Sequence, residues 1–187
     1  KAFDLSYDYI INSNEKVAEK GHKTEEAINT IDEQLTRYLI SLSSEALSQK
    51  ESEVLTNILD SSRDLERIGD HAEALINLND YLQRKNVQFS EAALEELAEI
   101  YLKTSEFVKD ALESVENNDL EKAQALIERH EDINKTERVL RKTHIKRLNN
   151  GECSTQAGVN FIDIISHYTR VSDHAMNLAE KVLAEQI

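Results

Sequence analysis

The chain has 187 residues, of which 40% are hydrophobic and 31% charged, and its formal net charge is −14. So acidic a surface repels a phosphate backbone, which argues against nucleic acid as a partner. The sequence contains no proline and only four glycines, the residues that most often interrupt helices. Together with abundant Ala, Leu, Glu, Lys and Ile, this composition predicts an all-α fold.

Apolar residues at helical spacing predict six helices. They cover about residues 2–20, from 24 through 42, 52–82, 90–116, 119–148, and from 155 through 182. Gly21 is predicted to end the first helix, and Gly151 follows the end of the fifth. Ser90 and Asp119 are predicted N-caps of the fourth and fifth helices. Helices of this length with short connections are typical of antiparallel bundles.

The third and sixth helices carry an internal repeat. Residues 67–72 read RIGDHA and residues 170–175 read RVSDHA, at a spacing of 103. TID at 30–32 matches DIN at 132–134 more weakly, at a spacing of 102. We therefore predict one domain over residues 1–187, with repeat one at about 1–85 and repeat two at about 89–187. Each repeat would be a three-helix unit, and a pseudo-twofold axis would relate the two.

Cys153 is the only cysteine, which excludes an internal disulfide bond. No apolar run approaches the ~20 residues that span a bilayer, and no signal peptide is visible. Because the sequence begins at Lys1, a domain excised from a longer protein is one interpretation.

Two carboxylates on the third predicted helix are candidate metal ligands. Glu66 and Asp70 lie four residues apart and so face the same side of a helix. Carboxylates at this spacing bind a hard cation, or an iron or manganese pair, when other helices add ligands. By spacing alone, a solvated face or a salt bridge is the commoner use, and Arg67 and its repeat counterpart Arg170 are available partners.

The facing helices contribute further polar residues that are candidates for the same roles. Asp32 lies where a facing carboxylate is expected, and its counterpart at a spacing of 102 is Asn134, with His130 one turn earlier. His71 and His174 follow the repeated aspartates and are predicted to make ordinary hydrogen bonds. A second polar stripe is predicted to lie at the surface and consists of Asp60, Asp64, Asp163 and His167.

Enzyme motifs are absent from the sequence. There is no G-x-S-x-G, P-loop, H-E-x-x-H or cysteine pair. We therefore expect no catalytic site and no direct small-molecule substrate. Direct phosphate binding would need a bound metal or an arginine cluster, for which Arg67 and Arg170 are the symmetric candidates.

The repeated motif resembles that of a known family. DLERIGDHAEAL (64–75), repeated as YTRVSDHAMNLAE (168–180), resembles the signature helix of PhoU-type domains. Further segments are similar to the PhoU-like C-terminal domain of bacterial sodium/phosphate cotransporters: TID…YLISLS (30–43), FSEAALEEL (89–97), HIKRLNNGEC (144–153) and FIDII (161–165). The resemblance covers nearly the whole chain.

The resemblance implies a duplicated, spectrin-like three-helix bundle with a regulatory role in phosphate uptake. The domain would lie on the cytoplasmic face of the plasma membrane, attached to the membrane-embedded transporter portion of the same protein. The resemblance is also compatible with a homodimer. The alternative is a free-standing PhoU-type adaptor in phosphate-uptake signalling. A third hypothesis, a metal-dependent enzyme on a helical bundle, has no evident substrate.

PhoU-type domains often bind multinuclear iron or zinc clusters through E/D-x-x-x-D motifs. Glu66 and Asp70 match this motif, whereas only Asp173 matches in the second copy because Thr169 replaces the glutamate. In the partner helix, Ile28 stands where the family has an acidic residue. The metal ligands that the resemblance implies are Glu66, Asp70, Asp173, Asp32 and His130.

Overall fold

The structure, a computed structural model, describes residues 1–43 and 47–184, and over these ranges it is built of α-helices without strands. This confirms the predicted all-α fold. The six helices are α1 (Ala2–Asn12), α2 (Glu15–Ser43), α3 (Gln49–Arg84), α4 (Glu91–Asn117), α5 (Leu120–Asn149) and α6 (Thr155–Leu183).

The helices pack as two three-helix units. α1 packs on α2 and α3, and α4 packs on α5 and α6. α3 and α6, which carry the repeated motif, pack on each other and join the units. In the described part of the chain, no helix has an apolar stretch of the length that a bilayer crossing requires.

The first predicted helix is in fact two helices. α1 ends at Asn12 because Ser13 adopts the left-handed conformation, with φ of 51°. Asn14 then starts α2, since its Oδ1 accepts a hydrogen bond of 3.1 Å from the backbone N–H of Lys16. The prediction of a single helix over 2–20 is therefore wrong, as is the predicted start of the second helix near Thr24.

Two glycines lie inside helices because neighbouring side chains approach them closely. Gly21, predicted to end a helix, is buried within α2, and a Cβ atom there would lie 2.3 Å from Cδ1 of Ile76. A Cβ atom on Gly69 in α3 would lie 3.2 Å from Cδ1 of Ile28. Both glycines therefore allow helix-to-helix contact at a cost in helix propensity of about 1 kcal/mol each.

Serine caps set the beginnings of three helices. Ser48 forms a capping box with Glu51, which starts α3 at Gln49, three residues before the predicted start. The side chains of Ser90 and Ser154 accept hydrogen bonds from backbone N–H groups in the first turns of α4 and α6. The predicted caps Ser90 and Asp119 are thus confirmed, since Asp119 accepts a hydrogen bond from the backbone N–H of Lys122.

The two repeats align in a different register from the predicted one. Ser13 ends α1 and Asn118 ends α4, both in the left-handed conformation, and their numbers differ by 105. In this register EEAIN (25–29) aligns with HEDIN (130–134), and three of the five positions are identical. The spacing of 102 assigned to α2 and α5 is therefore wrong, and the counterpart of Asn134 is Asn29 rather than Asp32.

The core is densest around α6. The largest fully buried side chains include Tyr168, Phe161 and Phe107, each 0% exposed. Leu94 and Leu112 of α4 lie outside this core and are exposed. α4 is rotated so that its buried stripe consists of Ala93, Leu97, Ile100, Thr104, Phe107, Ala111 and Ser114.

Candidate functional site

Five carboxylates lie along the contact between α2 and α3 in the first repeat. We call this group the acidic cluster: Glu25, Asp32, Glu66, Asp70 and Glu73. It contains three of the metal ligands predicted from the sequence. The other two, Asp173 and His130, lie in the second repeat on α6 and α5.

Glu66 and Asp70 form a carboxyl pair under electrostatic repulsion. Burial raises the pKa of Glu66, and the neighbouring charges of Asp70 and Asp32 raise it further, while Arg67 lowers it. Nε of Arg67 lies 3.7 Å from Oε2 of Glu66, and a guanidinium nitrogen lies 3.4 Å from Oδ2 of Asp70. Because Arg67 is 61% exposed, water screens its charge and it offsets the repulsion only in part.

Glu25 and Glu73 are the two members of the acidic cluster that the sequence prediction missed, and Glu25 is the more buried. It is only 7% exposed, and burial together with the charge of Glu73 raises its pKa. The amide of Asn29 donates a hydrogen bond to Glu25 and opposes this shift. At a spacing of 105, Glu25 is the counterpart of His130.

Other members of the acidic cluster have polar partners. The hydroxyl of Ser62 donates a hydrogen bond of 2.6 Å to Oδ1 of Asp32. Nδ1 of His22 lies 3.1 Å from Oε1 of Glu73. Separate hydrogen bonds and ion pairs therefore hold the members of the cluster on both helices.

The corresponding place in the second repeat holds a histidine–aspartate pair. Nε2 of His130 lies 3.0 Å from Oδ1 of Asp173. The hydroxyl of Thr169, which replaces the glutamate, donates to the carbonyl of Ile165 in its own helix at 3.1 Å. At this place the second repeat therefore has one contact, between His130 and Asp173, where the first repeat has a group of carboxylates.

The predicted metal ligands do not converge on a common point in the described residues. Within residues 1–43 and 47–184, no three His, Cys, Asp or Glu side chains converge closely enough to hold a metal ion. In the first repeat Arg67 approaches both Glu66 and Asp70. The side chains as placed do not form a ready iron or zinc cluster, and metal binding stays a prediction.

The two repeated arginines differ in their surroundings. Arg67 pairs with carboxylates of its own helix, as the sequence predicted. Arg170 is exposed and makes no ion pair with the part of the chain that is described. The two arginines therefore do not form a symmetric anion site.

A cluster of histidines lies at the junction of α3 and α6. Nδ1 of His71 lies 3.1 Å from Nδ1 of His167. Nδ1 of His174 lies 3.0 Å from Oδ1 of Asp64, and Nζ of Lys181 lies 3.2 Å from the other oxygen of that carboxylate. Asp64 is only 13% exposed, so its assignment to the surface is wrong. The predicted hydrogen bonds of His71 and His174 are confirmed.

His71 and His167 of the histidine cluster resist protonation. Burial lowers the pKa of His71 to about 4, assisted by the neighbouring rings of His167 and His174. Burial also lowers the pKa of His167. The neutral imidazoles of His71 and His167 are therefore part of the folded junction between the repeats.

Comparisons with known proteins match the chain to one family. A family model described as the PhoU domain matches residues 1–78 and 97–182. A curated relative is the Phosphate-specific transport system accessory protein PhoU homolog 1 of Thermotoga maritima, which is 29% identical over 178 residues. The alignment covers 95% of this chain and 68% of that protein.

Two solved structures share the fold. The crystal structure of PhoU from Pseudomonas aeruginosa superposes with a TM-score of 0.89 at 18% identity, covering all of this chain and 90% of that one. The phosphate transport system regulatory protein PhoU from Streptococcus pneumoniae superposes with a TM-score of 0.83 at 21% identity, covering 97% and 84%.

Replacing Glu66 with Gln should raise the free energy of unfolding at pH 7. The raised pKa means that ionised Glu66 destabilises the folded state, a penalty present at neutral pH and lost as the carboxyl group protonates. Urea denaturation in the presence of a chelator should show the gain at pH 7 and none at pH 4. Glu106→Gln, on an exposed site of α4, is the control and should change little. A destabilised Glu66→Gln protein at pH 7 would contradict this account of the acidic cluster.

The junction of α3 and α6 should weaken as the pH falls. Below the ordinary histidine pKa of 6.5, the unfolded chain binds a proton that folded His71 excludes until about pH 4. The free energy of unfolding should therefore drop between pH 6.5 and 4, and His71→Gln should make this drop shallower. Denaturant titrations across the range test this, since both proteins share every carboxylate. Parallel curves would show that His71 does not contribute.

Proposed function

The chain belongs to the PhoU domain family, and on that premise we propose that it regulates phosphate transport as an accessory protein. The main support is the family match, which extends over both repeats. The relative from Thermotoga maritima is named an accessory protein of a phosphate-specific transport system. We infer the same role here, acting by binding rather than by a reaction.

The site is consistent with a binding module. Its carboxylates and histidines are held by hydrogen bonds within the fold.

The free-standing adaptor is better supported than the transporter-attached domain. The curated relative and the two solved structures are PhoU proteins, and none of the three is described as a sodium/phosphate cotransporter. We therefore propose an adaptor that docks on a separate phosphate transport system. Docking shifts the transporter toward the conformation that the adaptor binds more tightly. The ratio of the two conformations changes tenfold for each 1.4 kcal/mol of difference in binding free energy.

We also propose that the acidic cluster binds a metal ion. The supporting observation is the repulsion between Glu66 and Asp70, which Arg67 offsets only in part. A divalent cation would supply the missing positive charge, and carboxylate oxygens bind iron in helical-bundle di-iron proteins and can also ligate zinc. The His130–Asp173 pair of the second repeat is already satisfied and is the weaker candidate.

Loss of the chain should change phosphate uptake. In a strain of the source organism that lacks the gene, we expect uptake of labelled phosphate to change by about fivefold or more, the low end of typical allosteric coupling. The intact gene should restore the original rate. Sulfate uptake is the control and should stay constant. Unchanged phosphate uptake, or an equal change for both anions, would refute the proposed function.

Metal binding can be measured separately. Protein purified without a histidine tag is incubated with ferrous iron or zinc, desalted, and analysed by mass spectrometry for bound metal. We expect about one metal ion or more per chain, lost in Glu66→Gln/Asp70→Asn and kept in Asp173→Asn. Substoichiometric metal in all three proteins would show that the acidic cluster is purely structural.

A further inference from the structure

The C-terminal half of α5 carries a concentration of positive charge. Residues 135–149 contain six lysines and arginines and one carboxylate, although the whole chain has a net charge of −14. Two of the six cations are held within the fold. Arg141 pairs with Glu137, and Arg147 pairs with Glu96. The other four are exposed on the outer side of the helix and are Lys135, Arg138, Lys142 and Lys146.

These four cations have few partners in the fold. Arg138, Lys142 and Lys146 make no ion pair with any of the residues 1–43 and 47–184. Lys135 makes one exposed pair, at 3.7 Å from Glu131, and such pairs are weak in water. The dipole of α5 does not explain the charge, because its effect is confined to the last turn and Arg138 and Lys142 lie before that turn.

The corresponding face of repeat one lacks this charge. At the spacing of 105, α2 places one arginine and no lysine at the four equivalent positions, which are Thr30, Glu33, Arg37 and Ser41. That arginine pairs with Glu33 at 2.6 Å. The same helical unit therefore forms without the cations, and packing does not account for their presence in repeat two.

Arg170 extends the positive charge from α5 onto α6. Nε2 of His130 lies 3.0 Å from Oδ1 of Asp173. A guanidinium nitrogen of Arg141 donates to the hydroxyl of Ser166 at 2.9 Å. Since Arg170 lies between these two contacts on α6, it is beside the part of α5 that carries the exposed cations. It is itself exposed.

We call this surface the basic face; it consists of Lys135, Arg138, Lys142, Lys146 and Arg170. Along α5 it extends for about 16 Å. Exposed aliphatic side chains lie on the same two helices, where Val139 is 62%, Ile145 41% and Val159 52% exposed. The exposed carboxylate of Asp163, on α6 one turn before Ser166, reduces the positive charge at one edge.

We propose that the basic face binds the surface of an anionic phospholipid bilayer. Clusters of about four to eight lysines and arginines attract anionic headgroups, and this face has five. Aliphatic side chains among the cations add apolar burial in the headgroup layer. The inference goes beyond the proposed function, because binding to lipid requires no transporter.

Two features favour a bilayer over an acidic protein as the partner. The cations spread along the outer side of two helices and do not surround a pocket, which suits a flat layer of headgroups. Protein interfaces are instead enriched in aromatic residues at their centre, and residues 135–149 contain no Phe, Tyr or Trp.

The acidic remainder of the chain gives the binding a direction. An anionic bilayer repels the rest of the protein and attracts the basic face, so the protein is oriented with α5 toward the lipid. At physiological salt, charges farther than about 8 Å from the bilayer are largely screened. The basic face can therefore bind although the net charge of the chain is −14.

Co-sedimentation with vesicles tests the proposal. The chain is mixed, at about 0.1 M salt, with vesicles of phosphatidylcholine alone or with about 30% phosphatidylglycerol added. We expect binding to the anionic vesicles only. Arg138→Gln/Lys142→Gln/Lys146→Gln should weaken it about a hundredfold, since each cation near an anionic leaflet strengthens binding roughly fivefold.

A matched variant on α2 controls for net charge. Lys16→Gln/Lys20→Gln/Arg37→Gln removes the same charge from exposed sites of repeat one and should bind almost as tightly as the unaltered chain. Circular dichroism and denaturant unfolding should show that both variants are folded. An equal loss of binding in the two variants would indicate a general effect of charge and would overturn the proposal.

Absence of binding to the anionic vesicles would also overturn it. So would binding to poly-glutamate without binding to vesicles, because the basic face would then be a surface for an acidic protein. These measurements contain no transporter, so their failure leaves the proposed regulation of phosphate transport intact. Conversely, unchanged phosphate uptake in the deletion strain would not affect the result with vesicles.

Discussion

The structure depends on burying the apolar face of the last helix in each three-helix unit. An amphipathic helix is stable only where another helix covers its apolar stripe. In repeat two, α4 covers α6 over most of its length, and Tyr168 and Phe161 are fully buried. In repeat one, α1 covers only part of α3, and Leu65 remains open. The last helix is therefore covered over most of its length in repeat two and only partly covered in repeat one.

The same two helices also hold the polar groups of the protein. α3 presents Glu66 and Asp70 to α2, and it presents His71 to α6. The acidic cluster and the histidine cluster are therefore linked through one rigid element. A ligand or partner that changed the position of α3 would therefore act on both clusters.

Much of this arrangement could be predicted from the sequence, because helical periodicity and the repeated RIGDHA motif are local patterns. The break at Ser13 could not be predicted, since a single residue in the left-handed conformation does not change the spacing of the apolar residues around it. The register error came from comparing three residues, TID with DIN, where the five residues of EEAIN and HEDIN give the correct alignment. That alignment would have identified Glu25. The burial of Asp64 depends on His174, which lies 110 residues away, and such a contact follows only from the packed fold.

The central claim is that the chain binds a phosphate transport system and prefers one of its conformations. The most direct measurement is the affinity of the purified protein for that transporter, reconstituted in lipid nanodiscs, with and without phosphate. The account predicts saturable binding with a dissociation constant near the micromolar range, about −8 kcal/mol, that differs between the two conditions. Absence of binding, or binding of equal strength in both conditions, would contradict it.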